Sequence, residues 1–135
     1  MSGLRLTHDA ASAANVGMSF TLASAAMAPE ISGNSFVGLA ANDHGIMITD
    51  SGSGARSFTG TIEGNSFSDL WKSVRAQFDF PGPPAELSPV IRGNSVTGSY
   101  RGLDFVLNNS FEGTASPVVA DNQITGSSYQ DLHLE

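Results

Sequence analysis

Apolar residues recur along this chain at alternate positions in short bursts, and the bursts themselves repeat. Ile31-Ser32-Gly33-Asn34-Ser35-Phe36 returns as Ile62-Glu63-Gly64-Asn65-Ser66-Phe67 and as Ile91-Arg92-Gly93-Asn94-Ser95-Val96. A worn copy runs Val119-Ala120-Asp121-Asn122-Gln123-Ile124. The copies start at 31, 62, 91 and 119, in steps of 31, 29 and 28 residues. A second phrase keeps phase with the first: Gly17-Met18-Ser19-Phe20, Gly45-Ile46-Met47-Ile48, Val74-Arg75-Ala76-Gln77-Phe78, Gly102-Leu103-Asp104-Phe105 and Asp131-Leu132-His133-Leu134. Two phrases in phase over nearly the whole chain indicate a repeat protein of one supersecondary unit per period.

Each unit predicts three short strands. The first carries Ile31, Ile62, Ile91 or Val119, and the second, after a sharp bend, carries Phe36, Phe67, Val96 or Ile124. The third holds pairs such as Ile46 and Ile48, or Leu103 and Phe105. Alternation sends these side chains to one face and Ser, Glu, Arg or Asp to the other. The units fall at about 3–28, 29–59, 60–88, 89–116 and 117–135, within a single domain spanning 1–135. One unit cannot bury its apolar face alone, whereas stacking covers it with the next. The bends carry Asn34, Asn65, Asn94 and Asn122. Asparagine tolerates left-handed backbone dihedrals, and its amide reaches the backbone or the asparagine one coil away. A surface loop is expected over 50–55, where Gly and Ser cluster.

This Ile-x-Gly-Asn phrase, followed by a Gly-Ile-x-Ile strand, resembles the right-handed parallel β-helix repeats of the pectate-lyase-like superfamily. The resemblance implies an all-β parallel β-helix of four to five coils with an asparagine ladder. It specifies fold far more than activity, because such coils serve lyases, hydrolases, adhesins and spikes. The alternative is an antiparallel β-barrel. There Gly-Asn becomes a hairpin turn and Thr59–Phe67 resembles the strands of transferrin-binding-protein-like domains, with a ligand held in the barrel mouth.

Composition narrows the partners. A formal net charge of -7, from 6 Lys and Arg against 13 Asp and Glu, argues against nucleic acid. Cysteine is absent, so neither disulfides nor thiolate metal sites are available. Val16–Ala28 is apolar and ends in an A-x-A-like Ala26-Met27-Ala28, yet Met18 and Phe20 keep the repeat register, which favours a structural coil over a signal peptide. No run is long enough to span a membrane. An extracellular or cell-surface location is expected.

Stacking converts the repeat into ladders about 4.8 Å apart. The outer face of the third strand should carry one row of Ser19, Met47, Gln77, Asp104 and His133, and another of Thr21, Thr49, Asp79, Val106 and Glu135. In the resembled superfamily this face is where enzymes work. Asp79 and Asp104, near Arg75 and Arg101, are therefore the catalytic candidates, as a Ca²⁺-assisted lyase face or a glycosidase pair. Ca²⁺ enters only with that reading; no other cofactor or metal is expected. The family's hydrolase motifs are absent, and solvated surface charge is the plainer account.

Trp71, Tyr100 and Tyr129 follow the second strand on three successive coils. They form either a sugar-stacking platform or corner plugs. Asp43-His44 is a candidate loop contact. The acidic, lysine-poor surface suits a neutral glycan better than an anionic one. The expected role is a non-catalytic scaffold or carbohydrate-recognition module within a larger protein. A lyase or hydrolase, and a self-assembling structural β-helix, remain the alternatives. Open coil ends predict end-to-end association unless a flanking segment covers them.

Overall fold

The computed structural model describes residues 5–7, 15–38, 42–50, 54–78, 85–108 and 111–135, with side chains described from residue 15 onward. Asp79 lies outside these residues. The strands, in chain order, are β1 (Arg5–Thr7), β2 (Val16–Leu22) and β3 (Ala26–Met27); then β4 (Glu30–Ser32), β5 (Ser35–Val37), β6 (His44–Asp50) and β7 (Arg56–Phe58). A third set comprises β8 (Thr61–Glu63), β9 (Ser66–Ser68), β10 (Lys72–Phe78) and β11 (Ala85–Leu87). A fourth comprises β12 (Val90–Arg92), β13 (Ser95–Thr97), β14 (Arg101–Leu107) and β15 (Gly113–Ala115). The last strands are β16 (Val118–Ala120), β17 (Gln123–Thr125) and β18 (Gln130–Leu134).

Every strand pairs in parallel with its counterpart one coil away, which makes a β-solenoid of about four turns. The hairpin barrel is thereby overturned: Gly64-Asn65 joins strands of two different sheets, and β8 pairs with β4 and β12 rather than with β9. Each full turn holds four strands, not three. The extra strand, β7, β11 or β15, forms a fourth sheet with β3. It lies just past the expected surface loop, whose ends are tied down. Asp50 and Arg56 are buried, and the Arg56 Nε and Nη2 donate to Asp50 Oδ2 at 3.0 and 2.6 Å. Composition misses this clamp because its two charges flank a Gly and Ser run. Among the described residues, no helix is long and apolar enough to cross a membrane.

The core follows the alternation. Ile31, Ile62 and Ile91 stack in one sheet, Phe36, Phe67 and Val96 in the next, and all are buried. Fully burying one such side chain contributes about 1.5–3 kcal/mol. Phe36 and Phe67 lie 4.8 Å apart and nearly parallel. At the bend the left-handed residue is the glycine, with φ of 63°, 61° and 60° at Gly33, Gly64 and Gly93. In the worn copy Asp121 adopts φ 55°. The asparagine that follows is therefore present for its side chain and not for its dihedral tolerance, contrary to the sequence expectation.

The residue opening the core part of the third strand is matched to the wall behind it. A Cβ on Gly45 would lie 2.5 Å from the Ser73 carbonyl and 2.8 Å from Phe67 Cδ1, and one on Gly102 would lie 2.9 Å from Ile124 Cγ2. Where the wall position holds the smaller Val96, the opening residue is Ser73. Gly45→Ala is accordingly expected to destabilise by about 1–3 kcal/mol through overpacking. Adding Phe67→Val should recover part of that loss in a double-mutant cycle of urea midpoints. Strictly additive effects would mean that the two positions do not share this space.

Candidate functional site

Chemistry-bearing side chains gather on the sheet formed by β2, β6, β10, β14 and β18. Backbone pairing places Ser19, Met47, Arg75, Asp104 and His133 in one row, and Thr21, Thr49, Gln77 and Val106 in the next. The expected rows held Gln77 and Asp79 in those two places, so β10 is displaced by two residues from the sequence reading. A two-residue slip keeps every side chain on its face, so alternation cannot detect it. Ala76, small for a core position, occupies the row of Ile48 and Phe105, and Phe78 lies one inward step further on. The correction brings Arg75, not Gln77, beside Asp104.

Asp104 is fully buried and surrounded by cations. Its Oδ1 lies 2.7 Å from Arg101 Nη1 and 2.7 Å from His133 Nδ1, and its Oδ2 lies 2.6 Å from Lys72 Nζ. Arg75 Nη1 stands further off, at 3.8 Å from Oδ2, and Arg75 Nη2 donates to Gln77 Oε1. His133 Nε2 is 3.7 Å from the exposed Glu135. Burial pushes the Asp104 carboxyl up, but the hydrogen bond and charge of Lys72, with hydrogen bonds from Arg101 and His133, hold it below the ordinary value of 3.8. Burial, and then the charges of Arg75 and Arg101, lower Lys72, against the pull of Asp104.

Lys72 was not among the sequence candidates, although a signal existed. It is the sole lysine, and it stands one period, 29 residues, before Arg101, with which it pairs in register. What hid it was its position at the corner, ahead of the repeated apolar phrase.

Along the edge of this sheet runs an aromatic column. Trp71 and Tyr100 stack with ring centroids 3.8 Å apart and planes 6° apart, and Tyr100 and Tyr129 with 4.9 Å and 1°. The Arg101 guanidinium sits 5.2 Å over the Tyr129 ring and joins the column to the charged cluster. Trp71 and Tyr100 are half-buried, while Tyr129 is 58 % exposed. Because the rings stack on one another, the faces between them are closed, and they offer edges to solvent rather than three open faces.

Asp43 and His44 stand where the chain enters β6. Asp43 is buried, accepts from the Asn15 backbone N–H at 3.2 Å, and its carbonyl receives the Trp71 N–H at 2.7 Å. His44 opens β6 beside Lys72 in register. Burial, then the charges of Arg75 and Lys72, lower its pKa to about 4.

The asparagines form a continuous ladder. Asn65 Oδ1 accepts from the backbone and side-chain nitrogens of Asn34, Asn94 Oδ1 from those of Asn65, and Asn122 Oδ1 from those of Asn94, at 2.8–3.1 Å. This ladder supports the bend and lies apart from the charged cluster. A depression of about 490 Å³ on the fourth sheet is lined by Arg56, Ser57 and Glu86 among others, but its arginine is committed to Asp50. No cluster of three or more metal-ligating side chains occurs among the described residues.

Two pH windows follow. His44 binds a proton less readily in the folded chain than in the unfolded one. Its contribution is thus complete above 6.5 and lost as pH falls towards about 4. Asp104, whose pKa is depressed on folding, contributes above 3.8 and loses that contribution below it. Melting temperature should therefore fall in two stages on acidification, and His44→Gln should remove the upper one. An unchanged slope between pH 6.5 and 4 in His44→Gln would assign that stage to another group.

Compared with known proteins, the chain matches no family model, no curated protein and no solved structure.

Proposed function

We propose that this chain is a non-catalytic recognition module of a larger extracellular or cell-surface protein, which holds a glycan along the third-strand sheet. One observation carries the reading: an aromatic column spanning three coils runs directly beside a cluster of three cations, with Arg101 belonging to both. Apolar ring surface next to fixed hydrogen-bond donors is the combination that sugars require, since their C–H faces pack on rings and their oxygens accept. The coil repeat, with its Ile-x-Gly-Asn phrase and asparagine ladder, supports kinship with pectate-lyase-like β-helices.

The catalytic alternative is less well supported. A carboxylate held below its ordinary pKa by Lys72, Arg101 and His133 is a weak base. Lys72 and Arg101 also compete with any Ca²⁺ for its oxygens.

Tyr129→Ala tests the glycan reading, because Tyr129 offers the exposed ring and should unfold little when truncated. The stacking lost is worth about 0.5–1.5 kcal/mol. The expected result is loss of retardation in affinity electrophoresis on the polysaccharides that retard the wild type, with the fold intact by circular dichroism. Trp71→Ala should weaken binding too, but with a larger fall in melting temperature, as Trp71 is half-buried. Retardation unaffected by either change would remove the column from any binding role.

A further inference from the structure

Three of the chain's six Lys and Arg residues converge on a single carboxylate, in a chain whose net charge is -7. Asp104 does not need all of them. Its Oδ1 is shared by Arg101 and His133, and its Oδ2 is met by Lys72 at 2.6 Å. Arg75 is surplus. It stands 3.8 Å from Oδ2, makes its side-chain hydrogen bond to the neutral Gln77, and is held against two like charges.

Both guanidinium groups keep a solvent edge, with side-chain exposures of 21 % and 18 %, while Asp104 beneath them has none. Cations crowded together at the surface repel one another unless something outside supplies the missing negative charge.

We infer that Arg75 and Arg101, backed by Lys72, form an oxyanion-binding site that takes a sulfate or carboxylate group. The source of that group, a substituent on a sugar, rests on the glycan reading above; the chemistry of the site does not. The inference reverses the sequence expectation of a neutral glycan, because the few cations of this acidic chain are concentrated at one place. Two guanidiniums from adjacent coils that approach the same carboxylate, at 3.8 and 2.7 Å, can share one oxyanion through charge-assisted hydrogen bonds.

The other titratable groups around the site have defined roles. His44 is neutral at physiological pH, its pKa lying at about 4, and Asp43 is turned to the Asn15 backbone. Among the described residues Glu135 competes: its carboxylate lies 3.7 Å from His133 Nε2 and is 71 % exposed, so an arriving anion must displace it or tolerate it. The acidity of the remaining surface is screened beyond about 8–10 Å at physiological salt, which leaves the local positive potential to act at short range.

The probe is inorganic sulfate, titrated at low ionic strength into isotope-labelled protein, with the arginine Nε–H resonances observed and chloride as control. Saturable shifts of Arg75 and Arg101 are expected with sulfate and not with chloride. Arg75→Gln should weaken the affinity on the order of tenfold, the equivalent of one charge-assisted hydrogen bond. Glu135→Gln should strengthen it. Both variants change partly exposed side chains, and their melting curves will show whether they remain folded. Shifts that never saturate, or that ignore Arg75→Gln, overturn the site.

A second arm compares sulfated, uronate-containing and neutral oligosaccharides of equal length. Preference for either charged set supports the inference and identifies the anion. Binding to neutral sugars alone overturns it while leaving the recognition role standing. Sulfate binding with no sugar retained supports the oxyanion site and removes the glycan reading instead.

Discussion

Asp104→Asn is expected to destabilise the fold by about 3–5 kcal/mol, the cost of stripping the partner from a buried ion pair. Lys72, with a side chain only 7 % exposed, would lose its counter-ion at 2.6 Å, and Arg101 would lose its own at 2.7 Å. Three cations would then face one another with no carboxylate between them. A loss of this size is a large share of the roughly 5–15 kcal/mol that holds a domain together.

The control is charge removal on both sides. Asp104→Asn combined with Lys72→Met should recover much of the loss, because a neutral, well-packed pair avoids the desolvation penalty. Arg75→Gln alone should cost about 1 kcal/mol or less, since that guanidinium is longer-range and partly exposed. Urea unfolding of the three variants is the measurement. Asp104→Asn melting like the wild type would mean that the cations escape to solvent and that the cluster is not the fixed assembly described.

Asn65→Leu should cost about 2–6 kcal/mol, counted as two buried backbone groups left without partners at about 1–3 kcal/mol each. The Asn34 N–H would lose the Oδ1 acceptor at 2.9 Å, and the Ile31 carbonyl would lose the Nδ2 donor at 2.9 Å. Leucine keeps the branching of asparagine, but its methyl groups need more room than the amide atoms, so some overpacking adds to the lost hydrogen bonds. The same change at Asn122, which is half-buried, should cost less because water can replace the missing partners. A gradient from Asn65 to Asn122 in chemical unfolding supports the ladder as a chain of nearest-neighbour links. Equal and small effects would reduce it to surface hydrogen bonds.

Both predictions concern residues that the repeat made visible to very different degrees. Asn65 recurs with its whole phrase, so its period and its bend were legible before any coordinates. Asp104 stood out as a charge in a strand, with Arg101 three residues before it and Arg75 one coil away. Its partners stood out only in part, for the ladder already set His133 beside it. Lys72 belongs to the corner, and Arg75 moved into the row only through the two-residue displacement of β10. The fourth strand of each turn was missed for a related reason. Arg56–Phe58, Ala85–Leu87 and Gly113–Ala115 share position but almost no residue type, so they leave no repeated phrase.

The parallel stacking of coils, the inward rows of Ile and Phe, and the asparagine at each bend were determined by the sequence alone. Each depends on a residue type recurring at one place in every period, and stacking identical places is what buries them. The tertiary structure alone decided which charges meet, because corners of differing length set the offset between coils. Alternation is blind to any even offset, and a lysine or arginine reaches several positions from its backbone. Only the paired strands show that Lys72, Arg75 and Arg101 end at the same carboxylate.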